Sequence, residues 1–208
     1  MGFDRYFDQA SDRFSSYYGN ERVTRVLGRG ALFDRLRFAM QKAEETGARR
    51  VLDVGCGSGP LFEPLASRGI NVTGLEPAPA MLELARAEAA KFPGVDVREG
   101  SWEDLDAVDE FDLAVALGVF DYVDKPGELL QRLAKAAPGV VASFPSPSLR
   151  TQFRKVRYGL RGVKVHGYER MEIADLASGA GMAIADLSPL GRAGYAVHFV
   201  RAVQPASS

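Results

Sequence analysis

Apolar and aromatic residues near the start of the chain fall at Phe3, Tyr6, Phe7, Ala10, Phe14, Tyr17 and Tyr18, the three-and-four spacing of one helix face. Gly19 and Asn20 end that pattern, and a second helical stretch follows from about Arg22 to Glu45, interrupted near Gly28 and Gly30. From Arg50 onward short apolar runs predict strands at 50–54, 70–75, 95–99, 112–117, 139–144, 183–187 and 196–203. Helices are expected between them, near 60–68, 79–91, 126–136 and 169–180. Strands alternating with helices at this spacing build a parallel sheet covered on both faces. The expectation is an α/β fold with a seven-stranded, mostly parallel sheet, in which residues 1–47 form a helical lid over a core at 48–204. Gln204 to Ser208 read as a frayed tail.

Composition narrows the class. A chain of 208 residues fits one structural domain, since domains run to roughly 100–200 residues. A net charge of −1 carries no polyanion signature, so nucleic acid is not an expected partner. The single cysteine and the charged, non-apolar N-terminus MGFDRYFDQASDRF point to a reducing cytoplasm with no signal peptide or membrane span. No residue is assigned as a metal ligand, and the sequence carries no signal for oligomeric state.

The run VLDVGCGSGPL, residues 51–61, carries a buried strand into three alternating glycines and then a helix. Gly55, Gly57 and Gly59 let the backbone turn tightly and approach a ligand, where a Cβ would collide or forbid positive φ. Backbone N–H groups at the following helix start offer donors to a polar ligand. About 20 residues on, Glu76 ends the next apolar strand in NVTGLEP, where a carboxylate accepts from both hydroxyls of an adenosine ribose. The plainer alternatives are that Asp53 caps a turn, Cys56 is a small buried filler, Trp102 is core, and Met81, Leu82 and Leu84 are packing.

This stretch resembles motif I of the class I S-adenosylmethionine-dependent methyltransferases, with Asp53 matching the acid at the strand's end. A nicotinamide-dependent protein would instead place its third glycine at position 60, which is Pro60 here. The resemblance spans roughly residues 48–144 and takes in Glu76, the segment VREGSWEDL and the strand FDLAVALGVFDYV. It implies a Rossmann-like sheet and an enzyme that binds S-adenosylmethionine and releases S-adenosylhomocysteine. It further implies a cofactor pocket lined by Asp53, Gly55, Cys56, Gly57, Gly59, Glu76, Pro77, Ser101, Trp102 and Leu117. Ser101 stands where the family often has an aspartate facing the adenine amino group; Trp102 would pack the adenine and Glu103 offers a substitute acceptor.

In open α/β sheets ligands bind beyond the carboxyl ends of the strands, which places Leu117 to Asp124 on the acceptor side. The segment LGVFDYVD lacks the Asn/Asp-Pro-Pro-Tyr tetrapeptide of amino-directed nucleic-acid methyltransferases and a cysteine nucleophile for pyrimidine carbon. A small-molecule acceptor is therefore expected, with oxygen as the methylated atom. If a hydroxyl reacts, a proton must leave, and His166 is the candidate base, with Asp121 and Tyr122 beside it and Tyr168 a weaker candidate. His198 sits inside the last apolar strand and reads as core.

The segment 149–164 is basic and amphipathic, with Arg150, Arg154, Lys155, Arg157, Arg161 and Lys164 and no acid. It reads as a solvated helix over the core, a clamp for an anionic acceptor, or a surface resting on anionic lipid to collect a hydrophobic one. Rival functions are an RNA-directed methyltransferase that uses these cations on phosphates, and a cofactor-binding protein without catalysis.

Overall fold

The computed structural model describes residues 30–148, 151 and 164–202. The expected helix at 3–18, the first part of the stretch at 22–45, most of the basic segment 149–164 and the tail lie outside the described residues.

Strands β1 (Arg50–Val54), β2 (Asn71–Glu76), β3 (Val95–Glu99), β4 (Leu113–Ala116), β5 (Gly139–Pro145), β6 (Met182–Pro189) and β7 (Gly194–Arg201) form one sheet in the order β3-β2-β1-β4-β5-β7-β6. The first five run parallel, and β7 lies antiparallel between β5 and β6. The helices are α1 (Ala31–Glu45), α2 (Phe62–Ala66), α3 (Pro79–Ala89), α4 (Pro126–Ala136) and α5 (Arg170–Gly179).

Both faces of the sheet are buried, as parallel strands require. Along β1 and β4, Val51, Leu113 and Val115 face α1, α2 and α3 and join Phe38, Ala39, Phe62 and Leu65. Leu52, Val54, Ala114 and Ala116 face the other way, toward Leu129, Leu130 and Leu133 of α4 and Ile173 of α5. Pro126 opens α4 at a position where its missing N–H costs no helical bond. The helix then buries its three leucines completely, each stabilising the fold by about 2 kcal/mol relative to exposure. A reciprocal cap opens α5, where the Glu169 N–H donates to the Glu172 carboxylate at 2.6 Å.

Three features depart from the sequence pattern. The helix expected at 60–68 contracts to the five residues of α2, because Pro60 and Pro64 deny it backbone donors. The last strand starts at Gly194 rather than 196: Gly194 has φ 145° and pairs with Pro145 so closely that a Cβ would run into the Phe144 carbonyl. The helical region assigned to a lid contributes, in α1, a layer of the core, with Phe38, Ala39 and Ala43 buried.

Lys42 anchors α1 to the far edge of the sheet. Its ammonium lies 2.7 Å from Asp186 on β6 and 2.8 Å from Glu45, over the Phe38 ring. Burial alone would lower its pKa; the Asp186 and Glu45 carboxylates outweigh burial and hold it above the usual lysine range. A register shift in β6 between Ile184 and Asp186 sets Asp186 opposite His198. His198 is buried as expected, and burial lowers its pKa; its Nε2 has no hydrogen-bond partner among the described residues.

Candidate active site

The carboxyl ends of β1, β2 and β4 lie side by side, since Val54 pairs with Leu75 and Asp53 with Val115. The glycine loop leaves β1 at this place. The Gly55 and Cys56 N–H groups both donate to the Leu75 carbonyl, at 2.8 and 3.2 Å, which ties the start of the loop to β2.

Gly57 and Gly59 show why the loop needs glycine. Gly59 has φ 81°, and a Cβ there would strike the ring of Phe62, which is fully buried. Gly57 has φ 58° and a Cβ would meet nothing within 4 Å, so its face is open for a ligand. Gly59→Ala is accordingly expected to lower unfolding stability by about 2 kcal/mol in a urea titration, from left-handed strain plus displacement of Phe62. Gly57→Ala should cost about half as much and act instead on cofactor affinity. Equal stability losses for the two proteins would contradict this division of roles.

Glu76, at the end of β2, is 6% exposed. Its carboxylate accepts from the Gly57 N–H at 2.8 Å with one oxygen and from the Ala78 N–H at 3.0 Å with the other. The acid therefore clamps the glycine loop and the turn into α3. Pro77 lies within that turn and is half-buried.

Asp53 is buried on β1 beside this cluster, and its carboxyl is pushed up to about 7. Burial is the main cause, and the Glu76 charge adds to it; the Arg35 guanidinium acts in the opposite direction. Arg35 reaches in from α1 against Gly118, where a Cβ would lie 2.7 Å from Nη1. The Gly118 N–H donates to the Ser143 hydroxyl at 2.8 Å, which braces the start of the acceptor-side loop. Cys56 is buried against Gly74, and burial together with the Asp53 and Glu76 charges raises its thiol well above the usual range. Its side chain is part of the buried layer that includes Phe62 and Val72.

After β3, a single 3-10 turn spans Trp102–Asp104. The Ser101 hydroxyl accepts from the Glu103 N–H at 3.1 Å, and the Ser101 N–H donates to Asp104 at 2.7 Å. Ser101 thus caps the turn, while Trp102 is half-buried and packs on the core beneath.

On the acceptor side, Leu117 is partly buried, and Val119 stands where a Cβ on Gly55 would approach its Cγ2 to 2.8 Å. The Tyr122 N–H closes a turn onto the Val119 carbonyl, and Asp121 is buried. The segment 164–168 is stapled here: the His166 N–H donates to the Asp121 carbonyl at 2.8 Å, and the Tyr168 hydroxyl to the Phe120 carbonyl at 3.0 Å. Burial, aided by the Asp121 and Glu172 charges, holds the Tyr168 phenol above its usual range. His166 also meets Asp124, with Nε2 3.3 Å from Oδ1.

The structure thus groups Asp53, the three loop glycines and Glu76 at one end of the sheet, and brings His166 to Asp121 beside them. Arg35 and Asp124 were not singled out in the sequence. Arg35 had a signal: it lies three and four residues before Phe38 and Ala39, within the buried stripe of α1 that continues through Lys42 and Ala43. Asp124 is an acid in a loop and had none. Among the described residues no cluster suited to a metal ion occurs, and no helix is long and apolar enough to cross a membrane.

Comparison with known proteins agrees with this geometry. Residues 51–138 match the family model "Methyltransferase domain". A ubiquinone biosynthesis O-methyltransferase of Azorhizobium caulinodans is 42% identical over 85 residues, which is 40% of this chain and 34% of that protein. Another of the same name from Methylobacterium nodulans is 31% identical over 165 residues, 69% of this chain and 66% of that protein. The chain therefore spans between about a third and two thirds of the length of these relatives. Among solved structures, magnesium protoporphyrin IX methyltransferase from Synechocystis PCC 6803 with bound SAH superposes with a TM-score of 0.79 at 22% identity, covering 96% of this chain and 98% of that one. With its glycine loop, its terminal acid and this fold, the chain belongs to the class I S-adenosylmethionine-dependent methyltransferases.

Proposed function

We propose that the protein transfers a methyl group from S-adenosylmethionine to an oxygen of a small-molecule acceptor, with His166 taking the proton that the acceptor gives up. The cofactor supplies a methyl group activated by its sulfonium and leaves as S-adenosylhomocysteine. The residues present fit it: the open face of Gly57 admits a ligand against the backbone, the Glu76 carboxylate is placed for the ribose hydroxyls, and Trp102 offers an aromatic face for the adenine. Arg35 brings a positive charge toward Asp53, whose carboxyl burial holds largely protonated below about pH 7.

The observation that carries the oxygen acceptor is the bond from the His166 N–H to the Asp121 carbonyl. It holds the His166 main chain next to the loop whose Val119 approaches the cofactor turn. Displacement at a methyl carbon depends mainly on alignment, so the chain's contribution is to orient the acceptor and remove its proton. The O-methyltransferase names of the relatives support the same atom.

The test is methyl transfer from tritiated S-adenosylmethionine to a panel of catechols, phenols and carboxylic acids. His166→Ala is expected to lower turnover on the best acceptor about 100-fold while leaving S-adenosylhomocysteine affinity unchanged. Wild-type turnover by that protein across pH would remove His166 as the base.

A further inference from the structure

The imidazole of His166 has two nitrogens, and only one of them can accept a proton from a substrate. Which one is decided by what the other nitrogen meets. Here Nε2 is shut off from solvent and lies 3.3 Å from Asp124 Oδ1, in contact with it though not aligned as a hydrogen bond. The second oxygen of the same carboxylate is engaged elsewhere: Lys164 donates to Asp124 Oδ2 at 3.0 Å. Lys164 therefore orients the carboxylate so that Oδ1 is the oxygen presented to the ring. Mainly through Lys164, and further through His166, Asp124 is held below the usual carboxylate range, which keeps it ionised.

A neutral imidazole beside that anion has two choices. With the hydrogen on Nε2, the positive end of the N–H lies next to the carboxylate, off the line of a hydrogen bond. With the hydrogen on Nδ1, the Nε2 lone pair, itself shut off from water, lies 3.3 Å from an oxygen of a carboxylate that is 60% exposed, and this arrangement is the less favourable. The remaining acid nearby, Asp121, meets the histidine through its main-chain carbonyl, which takes the His166 N–H and so positions the residue without selecting a ring nitrogen.

We infer that Asp124 is a positioning residue that holds His166 as the Nε2–H tautomer, so that Nδ1 is the atom that takes the acceptor's proton. The inference rests on the reading of His166 as the base and adds to it a named partner and a named atom. It also gives Lys164, at the end of the basic segment, a place in the site. A carboxylate that orients one nitrogen and stabilises the charge appearing on the ring is the arrangement an imidazole base needs to work near neutral pH.

The chain contains only two histidines, so nitrogen-15 NMR of the full-length protein resolves both rings, with His198→Gln assigning them. The expected wild-type spectrum of neutral His166 has a pyrrole-type shift at Nε2 and a pyridine-type shift at Nδ1. Asp124→Ala should shift both toward the mixed values of a free imidazole, and should lower turnover about tenfold without raising the KM for S-adenosylmethionine. Lys164→Ala, which frees the carboxylate to rotate, should move both shifts part of the way toward those mixed values. A pyridine-type Nε2 in the wild type, or an Nε2–H pattern unchanged in Asp124→Ala, would overturn the role of Asp124 even if His166 is the base. Undiminished turnover by His166→Ala would overturn the base itself, a separate readout that leaves the two failures distinguishable.

Discussion

Glu76→Ala is expected to weaken S-adenosylhomocysteine binding by about 1.5–3 kcal/mol in a calorimetric titration, a loss of roughly ten- to a hundred-fold. A charge-assisted bond to the ribose is worth about 1.5–3 kcal/mol and is lost, while the bonds from the Gly57 and Ala78 N–H groups, made with and without ligand, act on affinity only through the order they give the loop. The loss exceeds that of a residue that touches only ligand, because the same carboxylate holds the turn whose open face receives the ligand. Glu76→Gln should fall between, since an amide oxygen replaces one acceptor and not the other. An affinity within threefold of wild type in Glu76→Ala would mean that the clamp and the grip are both illusory.

The second large effect is a pH dependence of stability from Asp53. Its folded pKa of about 7 lies above the ordinary 3.8, so the native state holds a proton that the unfolded chain has already lost. Stability from this group is thus fully present below about pH 4 and declines by about 1.4 kcal/mol per pH unit. The decline ends near pH 7, where the native carboxyl ionises too; the total is about 4 kcal/mol. In urea unfolding of the cofactor-free protein between pH 5 and 8, Asp53→Asn should therefore gain on the wild type as pH rises and level off near pH 7. A constant difference between the two proteins over that range would show that Asp53 is ionised throughout. Glu76→Ala should flatten the wild-type slope only in part, because burial outweighs the Glu76 charge in raising Asp53.

Much of this architecture was legible before any coordinates. The buried strand at 51–54, the alternating glycines and the acid at the end of the next strand are local signals, since each rests on backbone conformation or on a short run buried on both faces, in a chain where such runs alternate with helices. Membership of the sheet, with its parallel majority, followed from the same alternation. What escaped the sequence depends on pairs far apart in the chain. Arg35 meets Gly118 and Asp53 only when α1 lies over the ends of β1 and β4, and a helical arginine otherwise reads as a solvated charge. Lys42 and Asp186 form a second case, separated by most of the fold. Asp124 becomes significant only when residues 164–166 return to the loop after β4. The short α2 had visible prolines, yet the apolar pattern around them overrode that warning.

The insertion of β7 between β5 and β6 has a consequence for biosynthesis. A ribosome releases the entire cofactor-binding half, β1 to β4, long before the strand that covers the open edge of β5. Until residues 194–201 emerge, β5, buried at every position in the finished sheet, offers its unpaired backbone to any neighbouring nascent chain. Premature termination ahead of Gly194 would leave a molecule with its glycine loop complete and a sticky sheet margin, a product destined for chaperones or aggregates rather than for catalysis.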